Sequence, residues 1–261
     1  MARSTILPDI LLKGCLDEEQ NPMKWMPKSK HAFPHYEHPS RKYLSCWKIE
    51  QSGEGQISMG NYFGYSTVMI KKLGFEGNAA ALSRLGTASH TNIVGLLEAF
   101  YDESILYFVY NYSGFAFDLS QVASTPSVSF TEPELSHISK GILRGLQFIH
   151  ESLKIGHGRI SGNTILLFEN GDIKIANIGE SMLFLGLDKK LDLEKRMKLD
   201  LENVGNVITE LSESRTSWNP ATTNSPSNLS QFGIHFVKNI SSSSYSYIFE
   251  VGNSTLTPLT L

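Results

Sequence analysis

Between Thr131 and Asn177 a helix signal, a loop and a hairpin signal follow one another without a gap, and this run constrains the fold more than any other part of the chain. Thr131, with Glu134 three residues on, forms a capping box. Leu135, Ile138, Ile142, Leu146 and Ile149 then recur at helical spacing, which predicts a buried amphipathic helix. After the loop, "TILLF" and "DIKIA" flank Asn170-Gly171, the dipeptide that most favours a two-residue β-turn. Upstream, "YSTVMIKKL" (Tyr65 to Leu73) and "SILYFVYNY" (Ser104 to Tyr112) are β-branched and aromatic and read as strands. "NAAALSRLG" between them reads as a short helix ended by Gly86. Downstream, Leu199 to Leu211 is a helix, apolar at Leu201, Val204, Ile208 and Leu211.

Charge and hydropathy remove several classes of function. A formal charge of −3 carries no basic excess, so nucleic acid is not an expected partner. The longest apolar run, Ile105 to Tyr110, is too short to span a bilayer. Pro8 and Asp9 interrupt the first apolar stretch and argue against a signal peptide. Cys15 and Cys46 are then expected to be free thiols in a reducing compartment, the cytoplasm first and the nucleus as an alternative.

Composition divides the chain into an irregular arm (1–45), a strand-rich part (46–112), a helix-rich part (113–211), a polar linker (212–230) and a last apolar stretch with its tail (231–261). In the arm, His31, His35, His38 and Glu37 lie close together. Pro34 breaks any helix that would align them, so no metal site is expected. In the last stretch, "FGIHFVKNI" and "YSYIFEV" suggest one more helix or a strand pair.

Over residues 47–211 the order of strands, helix, strands, long helix, loop, hairpin and helix resembles the protein kinase fold. "HTNIVGLLEAF" and "LYFVYNY" are similar to the kinase fourth strand and the strand leading to the hinge. "VMIK" is similar to the third-strand lysine motif. "HGRISGNTILL" resembles the catalytic loop, "IKIANIG" the metal-binding motif, and "DLENVG" the start of the helix that anchors the lower lobe. The wording of the loop and hairpin is also similar to degenerate kinase-like proteins of filamentous fungi. The resemblance implies an α+β bilobal fold, with a small antiparallel-sheet lobe and a mainly helical, truncated lower lobe. It also implies ATP and magnesium as cofactors, with Gly53, Gly55 and Lys71 at the nucleotide.

The departures fall on the positions that carry the chemistry. Where the family has its catalytic Asp and second metal-binding Asn, this chain has Arg159 and Thr164. A guanidinium stays protonated and cannot accept a hydroxyl proton. Asn177 replaces the metal-binding Asp, offering a neutral amide where a hard cation needs anionic oxygen. Ser58 stands at the third glycine position, and the glutamate expected opposite Lys71 falls on Asn78, with Glu76 off the face. Met69 stands two residues before the lysine, where the family has Ala, and so occludes the adenine slot. Between Gly179 and Asp200 there are twenty residues, without room for an activation loop and its closing helix. The packing positions of the family's hydrophobic spine remain filled, by Leu82, Leu96, His157, Ile178 and Asp200.

Together these features predict a folded, non-catalytic kinase-like module that binds another protein and uses no cofactor. The alternatives are an atypical or weakly active ATP-binding Ser/Thr kinase, a phosphotransferase of the aminoglycoside and choline kinase type, and a truncated kinase fragment.

Overall fold

A computed structural model describes residues 33–60, 66–77, 79–125, 128–184, 193–213 and 229–242. Five strands form one antiparallel sheet: β1 (Tyr43–Glu50), β2 (Glu54–Gly60), β3 (Thr67–Gly74), β4 (Leu96–Asp102) and β5 (Ile105–Asn111), in the order β1-β2-β3-β5-β4. Because side chains alternate along a strand, β3 serves two layers. Val68 and Ile70 join Tyr43, Phe100, Tyr107 and Val109 in an outer cluster, while Met69 belongs to the main core beneath the sheet.

The outer cluster is covered by the segment that reads as irregular arm. His35 pairs with β4 through its backbone (His35 N–H to Ala99 O, 2.8 Å; Tyr101 N–H to His35 O, 2.8 Å). A single 3-10 turn (Pro39–Arg41) follows, and Tyr43 and Lys42 both reach Glu98 on β4. β1 thus begins at Tyr43, three residues before the expected boundary at 46, and residues 33–42 are part of the packed lobe. His35 and His38 turn to the aromatic rings of Phe100 and Tyr107, and His38 also bonds Ser40. His31, Cys15 and the rest of residues 1–32 lie outside the described residues.

Between β3 and β4 the helix is shorter than expected. α1 spans Ala79–Leu82, four residues, after which Arg84 and Leu85 close tighter three-residue turns on Ala81 and Leu82.

The lower part is built on α3 (Glu132–Gln147), preceded by α2 (Leu119–Ala123), with a second sheet β6 (Ala116–Asp118), β7 (Ile165–Phe168) and β8 (Ile173–Ile175) in the order β6-β7-β8. The Thr131 amide donates to Glu134 at 2.7 Å, completing the capping box at the start of α3. Gly141 and Gly145 let α3 press against β8: a Cβ on Gly141 would lie 2.6 Å from Ile173, and one on Gly145 would lie 2.7 Å from the Asn92 carbonyl. The turn over Phe168–Asp172 forms where Asn170-Gly171 predicts it, with Gly171 at φ +84. The two sheets are joined directly, since Val94 N–H donates to Ile175 O (2.8 Å) and Ile175 N–H to Asn92 O (2.9 Å).

α4 (Ile178–Phe184) follows β8, and α5 (Leu193–Ser212) packs Leu201, Val204, Ile208 and Leu211 into the core. α5 starts six residues before the expected Leu199, using the charged, helix-prone stretch ahead of it. α6 (Gln231–Ser242) occupies "FGIHFVKNI"; "YSYIFEV" and residues 214–228 of the linker lie outside the described residues. The architecture is α+β: an antiparallel-sheet lobe over a mainly helical one.

Candidate functional site

The site forms where β3, the β1–β2 turn and the end of β8 converge. Lys71 lies on the inner face of β3 and is buried. Its ammonium donates to Gln51 O at 3.0 Å, Ser52 O at 2.6 Å and Asn177 Oδ1 at 2.7 Å. All three acceptors are neutral. Burial pushes its pKa down to about 8, while the carboxylates of Glu180 and Glu50 pull the other way.

Asn177 uses the other half of its amide on the same turn: Nδ2 donates to Ser52 Oγ at 3.1 Å and to Ser52 O at 3.3 Å. Met69 is buried under Gly55, where a Cβ would lie 3.2 Å from its Cγ. Gly53 holds the turn at φ +96. Asn78 lies outside the described residues, and Glu76 is exposed rather than turned to Lys71.

Behind this turn, Tyr110 on β5 accepts from the Gly179 amide (3.0 Å) and donates to Glu180 (3.1 Å). Burial and the Glu180 carboxylate push the Tyr110 hydroxyl well above its ordinary range.

The loop from His157 to Thr164 is organised from below. Asp200 on α5 is fully buried and accepts three bonds: from His157 N–H (2.7 Å), Gly158 N–H (2.7 Å) and His150 Nε2 (2.8 Å). His150 is brought there by a π-turn at the end of α3 (Phe148–Ser152). His157 Nε2 donates to Ala176 O at 2.9 Å, and Ser181 Oγ donates to His157 O at 2.9 Å. Burial lowers the His157 pKa, with the Ala176 carbonyl and Asp200 opposing. Leu82, Leu96 and Ile178 are buried in the main core between these two centres.

Thr164 serves its own loop: its hydroxyl lies 2.8 Å from Arg159 O and accepts from Ser161 N–H at 3.0 Å. Arg159 is exposed. The structure therefore joins Lys71 to Asn177, and His157 to Asp200, while Thr164 stays within its loop. Gln51, Ser52, Tyr110, Glu180, His150 and Ser181 enter these networks without having been singled out from sequence. The Ser52-Gly53 dipeptide signals only a turn.

The family described as protein kinase domain matches residues 77–191, the stretch from the end of β3 past α4. The CTD kinase subunit alpha of Schizosaccharomyces pombe is 38% identical over 90 residues, 34% of this chain and 15% of that protein. Serine/threonine-protein kinase dst1 of Dictyostelium discoideum is 35% identical over 55% of this chain and 20% of its own length. Serine/threonine-protein kinase 1 of Arabidopsis thaliana is 24% identical over 55% of this chain and 18% of its own length. The matched regions thus span a fifth or less of each of these relatives. The α+β architecture described above, an antiparallel-sheet lobe and a mainly helical lobe, fits the bilobal fold of the protein kinase domain whose family matches residues 77–191.

Proposed function

We propose that this chain is a catalytically inactive protein kinase-like module that acts by binding and regulating another protein. The observation that carries this reading is the state of Lys71: its three N–H groups are satisfied by Gln51 O, Ser52 O and Asn177 Oδ1, which leaves none for a nucleotide phosphate unless the turn moves. The residue types point the same way. Arg159 cannot remove a proton, a loss of about 10² to 10⁴ in rate where a positioned base is required. Asn177 and Thr164 supply no anionic oxygen for magnesium. ATP and magnesium are therefore not cofactors in this reading, no nucleic acid or membrane partner is invoked, and the cytoplasm is the proposed compartment. Among the described residues no helix is long and apolar enough to cross a membrane. The likeness of the loop and hairpin to degenerate fungal kinase-like proteins supports the same view.

The names of the relatives favour a second reading, an atypical but active Ser/Thr kinase. Two assays separate the readings. Radiolabelled ATP with magnesium and generic protein substrates is expected to give no transfer above the blank. ATP with magnesium at millimolar concentration is expected to leave the melting temperature unchanged. Magnesium-dependent turnover that vanishes in Lys71→Met would establish the kinase reading instead.

A further inference from the structure

The β1–β2 turn is bonded to both Lys71 and Asn177, residues 19 to 125 positions away in the chain. Ser52 sits at φ 55, in the left-handed region that non-glycine residues avoid, and Asn177 across from it sits at φ 64. Two such residues, one from each lobe, are bonded to each other through the Asn177 amide and to a common cation, Lys71. Gln51 is 2% exposed, and its Oε1 has no hydrogen-bond partner among the described residues. A buried acceptor without a partner is costly, so the Gln51 side chain persists there only because the bonds around it hold the turn in place.

We propose that the Gln51–Ser52 turn is a latch: it seats itself on Lys71 and Asn177 as an occupant supplied by the chain, closing the cleft from within and pinning the upper sheet to the end of β8. This rests on the inactive reading above and adds how that inactivity is held. Asn177 suits the latch because one amide both accepts from Lys71 and donates to Ser52. A carboxylate in its place has no N–H to give the Ser52 carbonyl. Lys71 suits it because an ammonium has three donors and can hold two turn carbonyls and the amide oxygen together. A regulator that opened the latch would free these three acceptors and the buried cation.

The test uses the full chain in three forms: wild type, Lys71→Met, and Ser52→Pro, whose fixed negative φ is incompatible with the closed turn. Amide hydrogen exchange is followed in peptides covering residues 48–57, with α3 and α5 as internal references. Exchange at 48–57 is expected to be at least about tenfold faster in both variants, with the references unchanged. Lysine acetylation read by mass spectrometry gives a second measure. In the wild type Lys71 should label far more slowly than Lys48, whose side chain is 79% exposed, and Ser52→Pro should remove that protection. Equal exchange at 48–57 in folded variants, or wild-type Lys71 labelling as fast as Lys48, would overturn the latch. Phosphotransfer by the wild type would instead remove the inactive reading while leaving the exchange result standing.

Discussion

Among the described residues, Asp200 and Lys71 are both buried, and they are met by different kinds of partner. Asp200 in the lower lobe meets three donors, the His157 and Gly158 amides and the His150 imidazole from the end of α3, and the chain between them takes left-handed steps at Lys154 (φ 57) and Gly158 (φ 75). Lys71 in the upper lobe meets three neutral acceptors, and its turn takes left-handed steps at Ser52 (φ 55) and Gly53 (φ 96). Glycine adopts that conformation without a steric penalty; serine does not. Each of these two segments thus combines one glycine with one non-glycine residue in that region, and what sets the upper centre apart is the desolvation of its cation, which pushes the Lys71 pKa down.

The largest effect that would test this contrast is at Asp200. Asp200→Ala leaves the His157 and Gly158 amides and His150 without their shared acceptor. It is expected to lower stability in urea by about 3–5 kcal/mol. A loss under about 1 kcal/mol would erase the difference between the two centres. Next comes the apolar layer between them. Ile178→Ala and Leu96→Ala should each cost about 2–5 kcal/mol, since both side chains are fully buried. Values under half of that range would mean that the layer transmits little between the lobes.

Third, pH separates the centres by window. Lys71 titrates at about 8 when folded and at 10.5 when unfolded. Between those values the unfolded chain binds more protons, so stability rises with pH. The rise from pH 8 to 10 is on the order of 2 kcal/mol and should be absent in Lys71→Met. Above pH 10 the buried hydroxyls of Tyr43 and Tyr110, both pushed up, act in the opposite sense. The lower centre responds elsewhere: His157 is held below its ordinary 6.5, so stability should fall as pH drops beneath that value. A flat profile from pH 8 to 10 in the wild type would count against the buried cation. The smallest effect is a control. Thr131→Ala removes one side of a capping box remote from both centres and should cost about 1 kcal/mol without altering either pH window.

The parts of the fold that local chemistry decides were legible in the sequence. α3 announces itself by its cap and its spacing, the β7–β8 turn by Asn170-Gly171, and β3 by β-branched residues around "VMIK". Asp200 is marked by its place at the head of "DLENVG", a position read through resemblance, since nothing in helical periodicity singles out a buried carboxylate.

What was not legible depends on contacts between residues far apart in the chain. Gln51 and Ser52 are polar residues in a turn, a surface signature, yet both are buried because Lys71 and Asn177 reach them from 19 to 125 residues away. Residues 33–42 show no period because two backbone bonds at His35 and packing on the outer face, not regular structure, hold them. α1 ends four residues before Gly86 because the chain after Leu82 tightens its turns, an outcome helix propensity does not report.

The segment from His35 to Tyr43 has a mechanical consequence. It enters on the free side of β4, crosses the outer face of the sheet and turns into β1 at the opposite edge, so the two edges of the sheet are tied by one short span of chain. A tensile load applied ahead of residue 33 would meet the two bonds at His35 before it reached the seven partner pairs between β1 and β2. The arm is a fuse: under a pulling force in an optical trap it should peel first, in a small early step, and the sheet should yield only afterwards.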